Sequence, residues 1–268
     1  MTGRSRSHPG QSPPPPLVHR VGASRRSDIP LDILQALSNG TVESATLAEG
    51  LAVDFQWLMT CAVPIVPPAE IARLVPTEGI TTRMKVAGQI LAERFGLQGL
   101  KPFCQHPSDT VRGWAAFALA ALPEQTLTQR LARIRPLADD PHFGVREWAW
   151  MAVRPAIAAS LDEALDRLQP WVHESSDNIR RFASEVTRPR GVWCAHIAEL
   201  KMAPQRGAAL LEPLRSDPAK YVRDSVANWL NDAGKSHPGW VRDLCQRWSR
   251  ESPTRETALL VKRACRNL

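Results

Sequence analysis

Three carboxylates in the 268-residue chain, Glu147, Glu185 and Asp232, are placed to do chemistry by their spacing from a recurring Val-Arg or Ile-Arg dipeptide. Counted from the Val or Ile before them they lie at +2, +6 and +10. At 100° per helical residue their directions are about 200°, 240° and 280°. On successive equivalent helices they would form a diagonal, each step displaced by about 6 Å along the helix. Carboxylates lining a groove can stabilise an oxocarbenium-like sugar cation or position a water for attack. The competing reading is a face of ion pairs, Glu185 with Arg181 or Arg188 and Asp232 with Lys235, because such networks resemble active sites. Just downstream, Thr187-Arg188-Pro189-Arg190-Gly191-Val192-Trp193 breaks the helix with Pro and Gly. Trp193 is thereby left in an irregular loop, where its ring could face a cation or be buried under the neighbouring repeat.

The elements that must position these residues are repeats. The dipeptide recurs at Val111-Arg112, Val145-Arg146, Ile179-Arg180 and Val222-Arg223, at separations of 34, 34 and 43 residues. Each follows a polar turn, often Asp-Pro, whose Asp or Ser can cap the orphan N–H groups of a first helical turn. A period of this length marks a helical solenoid, so the chain is expected to be all-α, with paired helices stacked around a concave groove. The apolar stripe surrounds the Val or Ile at +3, +4 and +7. Trp114, Trp148 and Phe182 all occupy +3 and are read as core aromatics, not stacking platforms. The Arg at +1 flanks the stripe and is read as joining one repeat to the next through acidic turn residues, which makes Arg112 and Arg146 structural. First helices of the pairs are expected over 126–137, 161–172 and 205–214. Earlier helices are expected over 31–37, 43–61, 69–74 and 82–95, and a terminal pair over 238–249 and 253–267.

Charge is distributed unevenly. Residues 1–29 carry net +4, residues 30–178 net −5 and residues 179–268 net +8. The gradient suggests an anionic partner, most simply a nucleic-acid backbone, on the last repeats. An Arg-rich solvated surface would have the same composition. Residues 1–29, with five Arg, one Asp and the Pro13–Pro16 tract, are expected to form a disordered basic tail ahead of a single repeat domain over 30–268. The longest apolar run, Trp114 to Leu122, is too short for a membrane span. The five scattered cysteines form no C-x-x-C pair and suit a reducing, cytoplasmic compartment. Cys104/His106 and Cys194/His196 lack a second ligand pair at zinc spacing, so no metal site is expected.

Two stretches, FASEVTRPRGVW (182–193) and DPAKYVRDSVANWLNDAGKSHP (217–238), resemble the HEAT-like-repeat DNA alkylation-repair glycosylases, especially the AlkC branch and more distantly AlkD. SDIPLDILQALSNG (27–40) and TLAEGLAVD (46–54) add weaker similarity. The resemblance implies an α-solenoid that binds duplex DNA containing alkylated bases and hydrolyses the N-glycosidic bond of cationic N-alkylated bases, N3-methylated ones above all, to start base excision repair. It implies no metal or cofactor, and a monomer that is nucleoid-associated when bound to DNA. The family's acidic and aromatic site positions fall on Glu185, Trp193 and Asp232, with Glu147 as a further candidate. Arg188, Arg190, Lys220, Tyr221 and Lys235 are the candidate DNA contacts. Val186 departs from the Gly usual in the family's motif, and Trp229 stands where a smaller polar or imidazole side chain is common. Either could narrow the groove or mark a branch with altered activity. The non-enzymatic alternative is a HEAT-like module that binds distorted or branched DNA, or a protein partner.

Overall fold

The computed structural model describes residues 20–268, and all regular structure among them is helical. The N-terminal part comprises α1 (Leu31–Ser38), α2 (Leu47–Ala52), α3 (Phe55–Ala62), α4 (Pro68–Ile71), α5 (Ile80–Gly99) and α6 (Lys101–Cys104). The repeats follow as α7 (Asp109–Ala121), α8 (Leu127–Ala138), α9 (Phe143–Ala159), α10 (Leu161–Leu168) and α11 (Asp177–Val186). The chain closes with α12 (Ala198–Met202), α13 (Ala208–Leu211), α14 (Lys220–Gly234), α15 (Pro238–Glu251) and α16 (Arg255–Ala264). Helices α5, α7, α9, α11, α14 and α16 pack in succession to form the inner row, backed by α8, α10, α13 and α15. Side chains from α2 at one end and α16 at the other line the same groove, so the row is curved. This is the expected solenoid.

Several expected boundaries shift. The stretch 43–61 is two helices, because the Val53-Asp54 step leaves the helical conformation and Asp54 caps α3 by accepting from Trp57 N at 3.0 Å. The segments 161–172 and 205–214 end in or alternate with 3-10 turns at Gln169–His173, Pro204–Gly207 and Glu212–Leu214, each containing a proline that removes a donor. The tail boundary moves as well. Residues 1–19 of the expected tail lie outside the described residues, whereas 20–29 are held to the body. Arg20 grips the fully buried Glu49 through two 2.6 Å bonds, and Ala23 N donates to the same carboxylate at 3.1 Å. Burial raises the Glu49 pKa, but Arg20 and the amides of Ala45 and Ala23 outweigh it and hold the group below its ordinary value. Composition could not reveal a pair 29 residues apart.

The repeat arginines behave as one device. Arg112, Arg146, Arg180 and Arg223 each donate through Nη1 to two consecutive turn carbonyls five and six residues back, at 2.6 to 3.2 Å. Arg112 and Arg180 also reach the next turn, forming two-point bonds with Asp140 and Asp217. Asp140 and Asp217 accept in addition from the amides of His142 and Ala219. Every copy thus ties its own turn, and two copies tie neighbouring repeats together. Beneath this ladder Val111, Val145, Ile179 and Val222 are buried in the core.

Candidate functional site

The inner row encloses a groove of about 560 Å³. On its C-terminal side an alternating chain of charges links three helices. Arg181 on α11 meets Glu147 Oε1 of α9 at 2.6 Å and Glu185 Oε2 at 3.5 Å. Arg188, one turn beyond Glu185, donates to Glu185 Oε1 at 2.7 Å and to Asp232 Oδ2 of α14 at 2.9 and 2.7 Å. Lys235 closes the chain on Asp232 Oδ1 at 3.3 Å. The three expected acids therefore do form a diagonal across neighbouring helices, with arginines in the intervals. The acids share a line, and they are ion-paired as the competing reading expects.

The acids differ in exposure. Glu147 and Glu185 line the groove, whereas Asp232 lies behind Arg188 and does not. Asp232 was expected beside the other two. Its position at +10 places it near the end of α14, where Arg188 passes between it and the opening. Glu185 is 3% exposed and also accepts from the Ser225 hydroxyl at 2.6 Å. Burial alone would raise its pKa, but Arg181, Arg188 and Ser225 together hold it below the ordinary carboxylate value. It is a fixed negative charge near neutral pH. Glu147 Oε2 accepts from Trp150 Nε1 at 2.8 Å, yet its side chain is 30% exposed against 4% for Glu185, so it is the more open of the two groove acids.

Trp193 stands in the irregular loop expected for it and is 47% exposed, beside Val192 at 56%; both line the groove. Its φ of +59° lies in the left-handed region, which side-chain-bearing residues rarely occupy, so the surrounding contacts must impose it. Arg154 brackets the loop on both sides of Trp193. This buried guanidinium donates to the carbonyls of Val186, Arg188 and Ala195 at 2.7, 2.6 and 3.1 Å. Thr81 of α5 donates to Trp193 O at 3.2 Å, so the loop bridges the two sides of the groove. Nothing in the sequence marked Arg154; its signal would have been an arginine on a core-facing position of α9.

Other expectations need correction. Trp148 is only partly buried. Gly113 of the preceding repeat admits its indole, since a Cβ there would come within 2.6 Å of Trp148 Cδ1, and the ring spreads onto the groove wall. Arg188 is not free for phosphate, being committed to two carboxylates. Arg190 is likewise engaged, with Asp232 O at 3.2 Å and Ser236 Oγ at 2.7 Å. Tyr221 lies between the guanidiniums of Arg146 and Arg181, at 5.0 and 4.2 Å from its ring, and its hydroxyl accepts from Arg146. It lines the groove and orders Arg181 there. Lys220 and Lys235 keep largely solvent-exposed side chains, although Lys220 pairs with Asp224 and Lys235 with Asp232. Val186 and Trp229 do not narrow the groove. Both are fully buried, and Trp229 Nε1 donates to Thr187 O at 3.0 Å, fastening the end of α11 from behind.

The opposite wall was not anticipated. Leu47, Leu51, Phe55, Ile80 and Met84 make it apolar. It is joined to the repeats by Ser44, whose amide and hydroxyl donate to Asp109 at 3.0 and 2.6 Å and whose carbonyl meets His142 Nε2 at 2.6 Å.

Comparison with known proteins agrees with this architecture. Residues 97–187 match the family of HEAT repeats. A Bacillus subtilis (strain 168) protein, "Uncharacterized protein YhaZ", is 41% identical over 85 residues, which is 32% of this chain and 23% of that protein. The structure is similar to that of Pseudomonas fluorescens alkylpurine DNA glycosylase AlkC bound to DNA containing an abasic site analog, with a TM-score of 0.64 and 24% identity over 88% of this chain and 61% of that one. It is also similar to AlkD2 from Streptococcus mutans, with a TM-score of 0.59 and 21% identity over 74% of this chain and 95% of that one. The chain spans less than two thirds of YhaZ and of AlkC. Its fold is a helical-repeat solenoid similar to those of AlkC and AlkD2, with HEAT repeats over residues 97–187. Among the described residues no helix is long and apolar enough to cross a membrane.

Proposed function

We propose that the groove binds duplex DNA and that the protein is a glycosylase, hydrolysing the N-glycosidic bond of cationic N-alkylated bases, N3-methylated ones above all. The observation that carries this reading is a buried carboxylate, Glu185, held ionised at the wall of a groove that an exposed, conformationally constrained Trp193 overlooks. An alkylated base is already a cation and a good leaving group, so the protein need supply little acid catalysis. What it must stabilise is the positive charge that develops on the sugar as the base departs. A carboxylate fixed in advance by Arg181, Arg188 and Ser225 does that without reorganising during the reaction. Glu147, the more open acid, orients the water, and Trp193 packs against the damaged nucleotide. Asp232 acts through Arg188 as a positioning residue. Lys220 and Lys235 at the rim meet phosphates, which makes binding fall with salt.

The test is base release from methylated duplex DNA, with Glu185→Gln and Asp232→Asn beside the wild type. Released N3-methylated bases that the Glu185 variant loses, with DNA affinity unchanged, are the expected result. One observation supports a second reading: each acid is already paired with a cation, as in a purely structural network. Salt-sensitive DNA binding without release from any methylated substrate would establish that reading, a HEAT-like binding module. The protein is expected to act as a monomer in the cytoplasm, which sedimentation and fractionation would check.

A further inference from the structure

A second, smaller cavity of about 150 Å³ lies behind the apolar wall of the groove, between the segment preceding α1, the first turn of α3 and the start of α5. Arg26 and Arg83 both line it. Among the described residues neither side chain makes an ion pair or hydrogen bond, and Arg83 Nε is buried without an acceptor. Residues 1–19 contain no Asp or Glu. Asp54 is the one carboxylate in the wall, and its Oδ1 is occupied in capping α3 through Trp57 N. Arg83 is held in place from one side by the Phe55 ring, 4.7 Å away. A buried donor without a partner is costly, and an ion in contact with it is one of the few arrangements that removes the cost.

We infer that this cavity is an oxyanion site, built to take one phosphate group between the Arg26 and Arg83 guanidiniums. The first turn of α3 contributes as well, since with Trp57 N capped the Phe55 and Gln56 amides are the helix's remaining orphan donors, and they carry the positive end of its dipole. Burial lowers the Arg83 pKa and the neighbouring Arg26 lowers it further, with a smaller opposing pull from Asp54; a bound anion would offset the net loss. The volume suits one tetrahedral anion with a few waters. Phe55 and Leu51 line both this cavity and the groove, so an occupant would brace the groove wall from behind. The inference is independent of the glycosylase reading.

The experiment is thermal unfolding of the full chain in sodium phosphate against sodium chloride at equal ionic strength, for wild type, Arg26→Gln and Arg83→Gln. Phosphate at several times its Kd should raise the wild-type Tm by about 2–4 °C, and both variants should lose the increment. Arg26 is exposed, so its variant tests the site even if Arg83→Gln fails to fold. A parallel DNA titration separates two sources of the anion. A DNA phosphodiester is indicated if the variants also weaken duplex binding and inorganic phosphate competes; a free phosphate is indicated if duplex affinity is unchanged. Equal Tm in phosphate and chloride for the wild type, with duplex binding unaffected by either variant, would overturn the site.

Discussion

Arg180 and Arg181 are adjacent in the chain, yet they belong to regions organised on different principles. Arg180 belongs to the turn ladder, where every arginine binds two carbonyls of its own turn and the geometry repeats almost unchanged from Arg112 to Arg223. Arg181 belongs to the groove, where each arginine is shared between two carboxylates on different helices and no two have the same surroundings. A rotation of 100° separates the two roles. The ladder is periodic because it solves one problem, the orphan groups of each turn, once per repeat. The groove chain is aperiodic because its acids step along successive helices. Periodic charges hold the solenoid together, and aperiodic ones are the candidates for function.

The comparison can be broken most severely at the ladder. Arg112→Ala leaves Asp140 buried without its partner and should cost about 3–5 kcal/mol in urea unfolding, while the remaining folded protein keeps its full base-release rate. If the loss were confined to activity, the division between the two regions would fail. Glu185→Gln is the reciprocal case. It should lower base release by roughly 10²–10³-fold, measured under single turnover, with duplex affinity within about twofold of wild type. Arg154→Ala sits between the regions, since its three carbonyl partners belong to the last residue of α11, Val186, and to two residues of the loop that carries Trp193, Arg188 and Ala195. A stability loss of about 1–3 kcal/mol is expected, with a lower turnover rate and altered Trp fluorescence, and Arg154→Lys should recover part of both.

Acid unfolding sharpens the same contrast. The Glu185 pKa is depressed in the fold, so its pairing contributes fully above the ordinary carboxylate value and is lost as pH falls through the lower folded value. Wild type should therefore lose stability more steeply below about pH 4.5 than Glu185→Gln does. The smallest effect belongs to Trp193→Ala. Its exposed ring should change stability by less than about 0.5 kcal/mol. Affinity for duplex containing a cationic lesion should fall by about 0.5–2 kcal/mol relative to undamaged duplex.

Much of the ladder was legible in the chain. The dipeptide spacing located the inner helices of the repeats, and the constant +1 arginine beside an apolar stripe identified a structural role that the carbonyl bonds bear out. The diagonal of acids was legible for the same reason, since helical angle and rise follow from residue number. The intervening cations were harder to read. Arg181 is legible only as a possible salt-bridge partner and Arg188 as either that or a phosphate contact, because helical geometry cannot say which of two nearby groups a flexible guanidinium chooses. Trp148 was misplaced for a related reason: whether a +3 aromatic goes beneath its neighbour or onto the wall depended on Gly113, 35 residues away. Arg154 escaped notice because its partners are backbone carbonyls, which have no side-chain signature.

By itself the sequence determined the all-helical class, the repeat, the buried stripe and the line along which the acids fall, because each depends on local periodicity and on steric rules that operate within a turn or two of helix. Tertiary structure alone decided that Asp232 lies behind Arg188, that residues 20–29 belong to the folded body, that an apolar wall from α2, α3 and α5 faces the charged one, and that Arg26 and Arg83 share a cavity. Those outcomes depend on curvature accumulated over the whole inner row. Small rotations at each helix contact sum to the position of one groove wall against the other, and no single segment of the chain contains that sum.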